Sequence, residues 1–267
     1  MTAYIANLSE ISLLMILLFA SIALSLVCFF LVQKYCTWLK LSDNGIFGTI
    51  FANTMPTLVG FIFAFVTVAA WQNHNAVSDS ASKEAHTLFD LYQILEAYPS
   101  EAKKSGQEEI VSYTQAVINQ EWPNLTSQKM DVDTFKKLEH INSIFHNHKA
   151  ANLEGLAIHN ETLRLFSTYR DLRRYRLENA VSFVGKPMWG ALVIAALLLT
   201  LFSAFFKTSN IRIHAVMMAL EGGALGVMFF LLVLFDNPFS GPSAIQPTAF
   251  QKTLDSIAIL QKLKAAD

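Results

Sequence analysis

Residues 46–71 read IFGTIFANTMPTLVGFIFAFVTVAAW, 26 consecutive positions without a charged side chain. A helix rises about 1.5 Å per residue and a bilayer core is about 30 Å thick, so roughly 20 apolar residues suffice to cross it. The run is long enough to span. Beyond it, no Gly or Pro occurs before Pro99, and Val77, Ala81, Ala85, Leu88, Leu91, Tyr92 and Leu95 recur at a helical period. The spacing predicts a membrane helix that continues unbroken into water.

Three further runs resemble it in length. Ile11 to Val32 has no charge, Pro187 to Phe206 has none, and Ile213 to Phe235 is interrupted only by His214 at its edge and Glu221 inside. Across all 267 residues, 53% are hydrophobic and 15% charged, where a soluble domain carries about 25% charged residues. A water-soluble single-domain enzyme is thereby excluded. A net charge of -1 provides no basic face for nucleic acid. The first run is longer than the roughly 7 to 15 residues of a signal h-region, and no Lys or Arg precedes it, so it reads as a retained span. Cys28 and Cys36 both fall in that first helix or at its end, which leaves no disulfide framework for the polar region. The expected fold is all-α and polytopic. Transmembrane helices one and two occupy 1–71, a helical cytoplasmic domain 72–186, helices three and four 187–235, and a polar turn with a C-terminal amphipathic helix 236–267.

The region 72–186 holds 13 of the 20 basic and 15 of the 21 acidic residues. Ser105-Gly106-Gln107-Glu108 fits a capping box ahead of Ile110, Val111, Val117 and Ile118. Glu121-Trp122-Pro123 is expected to stop that helix. Asp131 or Asp133 can cap another through Phe135, Leu138, Ile141, Ile144 and Phe145, and a last one should run from about Leu153 to Ala180. In the tail, Phe250, Leu254, Ile257, Leu260 and Leu263 form an apolar face expected to dock on this helical bundle. Its only cations are Lys252, Lys262 and Lys264, thin for a helix lying on lipid.

With four spans, the N-terminus, the large domain and the tail share one side. Lys34, Lys40, Lys207 and Arg212 on the short loops nearly balance the basic residues flanking the domain, so the positive-inside rule does not orient the chain. Several stretches bear on this: Phe65-Val66-Thr67-Val68-Ala69-Ala70-Trp71-Gln72 leading to Glu84-Ala85, then Glu121-Trp122-Pro123. Arg173-Arg174-Tyr175-Arg176-Leu177 precedes the third span, and Asp236-Asn237-Pro238-Phe239-Ser240-Gly241 follows the fourth. Together they resemble bacterial membrane proteins with a bestrophin-like domain, and more distantly the bestrophins, pentameric anion channels with helical cytoplasmic domains. Pro56 and Trp71-Gln72-Asn73 are similar to the bounds of the bestrophin neck. The tail after Gly241 lacks an acidic run similar to their calcium clasp. The resemblance implies a bacterial inner membrane with N-terminus, helical domain and C-terminus cytoplasmic.

On the second helix, Thr49, Asn53, Thr57, Gly60, Ala64, Thr67 and Trp71 are spaced three and four apart and keep one small or polar face. Such a face suits a pore wall, and Phe61 and Phe65 beside it would supply an apolar constriction. Small residues equally let membrane helices pack closely, so a packing seam is the competing reading. Glu221 is the one acid inside an expected span; it could carry a proton, bind a cation, pair with a polar group such as Asn53, or lie near the headgroups. Arg170, Arg173 and Arg174 precede the third span, where they would concentrate anions at a vestibule, contact lipid headgroups, or pair with Asp171 and Glu178. His140, His146 and His148 match no metal motif and read as a solvated face. No phosphate loop, nucleophile elbow or paired-cysteine site occurs, so no enzyme, cofactor or metal is expected.

Two functions follow. One is a homo-oligomeric ion channel, pentameric by resemblance, passing chloride or another small anion along the second helix. The other is a scaffold or energy-coupling protein similar to flagellar stator subunits, without a central ion pore.

Overall fold

The computed structural model describes residues 9–36, 46–127, 131–148, 152–206 and 210–266. Its regular elements are helical: α1 Glu10–Tyr35, α2 Ile46–Ile94, α3 Ser100–Ala116, α4 Val132–Asn147, α5 Leu153–Glu178, α6 Lys186–Ala204, α7 Ile211–Asp236 and α8 Thr248–Ala266. Among them, α1, α2, α6 and α7 are long and apolar enough to cross a membrane. The chain is an all-α polytopic membrane protein. Thr49 lies at a position whose side chain is outside the described set.

Two compact units form. The first takes residues 1–74 and 182–244, the second residues 75–181 and 245–267, so α2 contributes to both. Within the first unit, α1 packs chiefly on α7. Glycine makes that approach possible. A Cβ on Gly222 would lie 2.8 Å from the Ser21 carbonyl oxygen and 3.1 Å from the Ile22 Cα, and one on Gly226 would lie 2.9 Å from the Leu18 Cα. Small residues four apart thus bring two membrane backbones together. Ser25 Oγ donates to the Met218 carbonyl at 2.8 Å along the same seam.

The second unit encloses a core of Leu88, Leu91, Leu95, Ile110, Tyr113, Ile141, Phe145, Phe166, Tyr169, Phe250 and Ile257. Asp131 caps α4, its Oδ1 accepting from the Thr134 N–H at 2.7 Å, and Asn152 caps α5 through the Gly155 N–H at 2.7 Å. The tail helix α8 lies in this unit with Phe250, Thr253 and Ile257 buried, Leu254 half-buried and Leu263 exposed. Thr253 Oγ1 donates to the Ala85 carbonyl at 3.0 Å.

Two local expectations are corrected. Residues 105–108 do not open a helix, because α3 begins after Pro99 and carries them in its interior. Gly106 there meets Leu95, whose Cδ1 would lie 2.8 Å from an added Cβ, and Gln107 donates to the Tyr92 carbonyl at 3.1 Å. The glycine serves close packing, not a cap. Nor does Pro123 stop α3. Residues Val117–Glu121 form a π turn, Trp122–Asn124 continue helically, and Leu125–Ser127 close in a 3₁₀ turn. Proline has no N–H to give to the ladder, and widening the preceding turn accommodates that without breaking the helix.

Candidate functional site

In the first unit, α2 packs inward through Val59, Phe63, Val66 and Ala70. These positions keep one helix face, and the small and polar stripe lies off it. Asn53, Thr57 and Ala64 are exposed and Gly60 and Thr67 half-buried. Among the described residues, no atom beyond the helix's own lies within 4 Å of a Cβ built on Gly60. Phe61 and Phe65 are 58% and 73% exposed, with ring centroids 6.5 Å apart. Among the described residues, then, no other helix meets the stripe at Gly60. Thr57 Oγ1 donates to the Asn53 backbone carbonyl at 2.7 Å.

Asp236, at the end of α7, holds the approach to α6. Its Oδ1 accepts from the Val184 N–H at 2.7 Å, and its Oδ2 from Ser182 Oγ at 2.7 Å and Trp189 Nε1 at 3.2 Å. Gly241 follows with φ +92°, a conformation that favours glycine. Asp236→Ala is expected to destabilise the first unit by about 1.5–3 kcal/mol, because these hydrogen bonds involve a charged acceptor. Thermal unfolding of the purified chain in lipid discs reads the loss.

The second unit holds an ionic network that spacing did not announce. Arg176, fully buried, places Nε 2.7 Å from Glu84 Oε2 and Nη2 2.9 Å from Glu84 Oε1 and 2.7 Å from Glu121 Oε1. Arg173 Nη2 donates to the other Glu121 oxygen. Tyr169 donates to Glu84 Oε1 at 3.3 Å and is hydrogen-bonded to Tyr113. The Arg176 guanidinium also lies over the Trp122 ring, 5.0 Å from its centroid. Burial opposes the charge of Glu121, and the Arg176 and Arg173 guanidiniums outweigh it, holding its carboxyl below the usual range. Burial pushes the Tyr113 and Tyr169 phenols up, so both stay neutral donors.

This geometry corrects the reading of the arginines before the third span. Arg170 and Arg174 are exposed, but Arg173 is buried against Glu121 and presents no cation to a vestibule. The reason is the register of α5: Thr162, Phe166, Tyr169, Arg173 and Arg176 are spaced four, three, four and three and form its inward face. Arg174 pairs with Asp171 at 2.5 Å. Arg170 lies over the Phe166 ring, 6.0 Å from its centroid. The signal available in the sequence was that two arginines and Glu121 continue core-facing periods, a pattern hidden by scanning for apolar residues alone. His148, too, is half-buried, its ring 4.3 Å from that of Tyr98 at an interplanar angle of 37°. Glu221 lies near Ser203 of α6 and Cys28 of α1 within the first unit, and its Oε1 is buried without a hydrogen-bond partner among the described residues.

A family model for the bestrophin-like domain matches residues 19–250 of the chain. No curated protein matches it.

Proposed function

The chain belongs to the bestrophin-like family, and from that premise we propose that it is one subunit of a homo-oligomeric channel, a pentamer, that passes chloride or another small anion. It conducts and does not catalyse. The observation that carries this reading is the exposure of the Asn53–Thr67 face of α2, with Val59, Phe63, Val66 and Ala70 taking up the packing on the other side. A bundle of four helices fills its own interior with side chains, so a conduit needs a closed ring of subunits.

Around the axis of such a ring, Asn53, Thr57, Gly60, Ala64 and Thr67 offer amide, hydroxyl and backbone dipoles without a fixed charge. They stabilise a partly dehydrated ion weakly enough for it to leave again, which conduction requires. Phe61 and Phe65 form the narrow apolar section, closed by dewetting. Anion preference rests on Arg170, with Arg173 neutralised by Glu121 and Arg174 paired with Asp171. The ring sits in a bacterial inner membrane with the second unit and both termini in the cytoplasm.

Single cysteines at positions 53, 57, 60, 64 and 67, in a chain whose Cys28 and Cys36 are replaced, test the wall. Water-soluble thiol reagents are expected to react with them in reconstituted membranes and to block chloride current. If none reacts, the face is a dry contact between copies and the pore reading fails. Phe61→Ala and Phe65→Ala are each expected to raise conductance in single-channel recordings.

A further inference from the structure

We propose that Glu221 is a proton-binding site inside the membrane, independent of whether the chain conducts ions. Helix α7 has 26 residues, about 39 Å at 1.5 Å per residue. Centred on a hydrocarbon core about 30 Å thick, it carries Glu221 about 10 Å below the nearer surface. The headgroups are out of reach for a glutamate side chain at that depth.

The carboxyl is turned into the unit. Its Oε1 is buried and accepts no hydrogen bond among the described residues, with Ser203 of α6 nearby. No Lys or Arg pairs with it among the described residues. An ionised carboxylate with an orphaned oxygen in a medium of low dielectric is costly, and the group is neutralised instead. The step is a simple one: the carboxylate takes one proton from water and becomes the neutral acid, and release returns that proton.

No ion pair joins it to another titratable group among the described residues. Cys28 on α1 interacts with it electrostatically and brings no positive charge. His214, two turns away on the same helix, is buried beside Phe29 and gives its Nε2 proton to the Ser203 carbonyl at 3.1 Å. That contact requires a proton on Nε2, since a carbonyl only accepts. Ser203 thus holds the imidazole through its carbonyl and lies beside the carboxyl. Beside them runs the tight seam of Gly222 and Gly226 against α1, where a change in charge acts on a contact that has no slack.

An apolar carbodiimide, which reacts with the protonated acid, tests this on the full chain in lipid vesicles. Mass spectrometry is expected to find an adduct on Glu221 at neutral pH. Its rate should fall about tenfold per pH unit above the titration, and the adduct should be absent from Glu221→Gln at unchanged thermal stability. Infrared spectra supply a measurement that needs no reagent access: the wild-type chain should show one carboxylic C=O band at neutral pH that Glu221→Gln lacks. Absence of both adduct and band overturns the proposal. So does suppression of the adduct by high sodium at fixed pH, which identifies a metal-cation site in place of a proton site.

Discussion

Arg176→Met is expected to destabilise the second unit by about 3–5 kcal/mol, because it leaves Glu84 and Glu121 buried with too little positive charge. That is a large fraction of the roughly 5–15 kcal/mol that holds a typical domain together. Thermal or denaturant unfolding, followed by tryptophan fluorescence of Trp122 beneath the guanidinium, reads the change. The double replacement Arg176→Met with Glu84→Met is expected to cost less than Arg176→Met alone. It removes both members of the deepest pair and leaves Glu121 with Arg173. Contact pairs of this kind are non-additive, and a double variant worse than the single one refutes the pairing as the source of stability. Acid acts on the same network. The Glu121 carboxyl is held below its ordinary value in the folded chain. Its contribution is therefore present above the unfolded carboxylate value of about 4.3 and is lost as pH falls through the folded value. The second unit is expected to weaken as pH drops below about 4 and to be insensitive to this group at neutral pH.

Gly222→Val is expected to force α1 and α7 apart. An added Cβ meets the Ser21 carbonyl oxygen at 2.8 Å and the Ile22 Cα at 3.1 Å, and backbone atoms have no alternative rotamer. Overpacking typically costs about 1–3 kcal/mol, and a seam of two backbones lies at the upper end of that range. Two glycines provide internal controls. At Gly223 the nearest atoms are the flexible ends of Ile22 and Leu18 side chains at 3.7 Å, so Gly223→Ala should be nearly neutral. At Gly60 nothing lies within 4 Å, so Gly60→Ala should leave the fold of the single chain unchanged. Should Gly60→Ala disrupt the oligomer instead, the α2 face is a tight contact between copies. Thermal unfolding and mass measurement in lipid discs separate these outcomes.

The three glycines illustrate why sequence alone could not assign the small residues. Gly60 and Gly222 both belong to small-residue stripes on apolar helices. The first has no described neighbour within 4 Å of an added Cβ and the second meets a backbone, a difference set by which helix lies opposite. The same holds for charge. Arg170 and Arg173 are three residues apart, yet the first is exposed and the second buried, because the inward face of α5 passes through Tyr169, Arg173 and Arg176.

What the sequence by itself determined was the class and the course of the chain. Four uncharged or nearly uncharged runs must be helical in lipid, since every backbone group has to be satisfied within its own segment. The unbroken passage of α2 from Trp71 to Ile94 followed from the absence of Gly and Pro there, while local chemistry narrowed the α4 cap to Asp131 or Asp133 and marked the apolar face of the tail. Tertiary structure alone decided the rest. Glu84, Glu121, Arg173 and Arg176 come from three segments up to 92 positions apart, and nothing local distinguishes a buried ion pair from two solvated ones. The π turn that carries Glu121 inward, the glycine seam beside Glu221 and the open side of α2 were equally undetermined. Each depends on what a neighbouring helix presents at contact distance, and the period of a single helix carries no record of its neighbour.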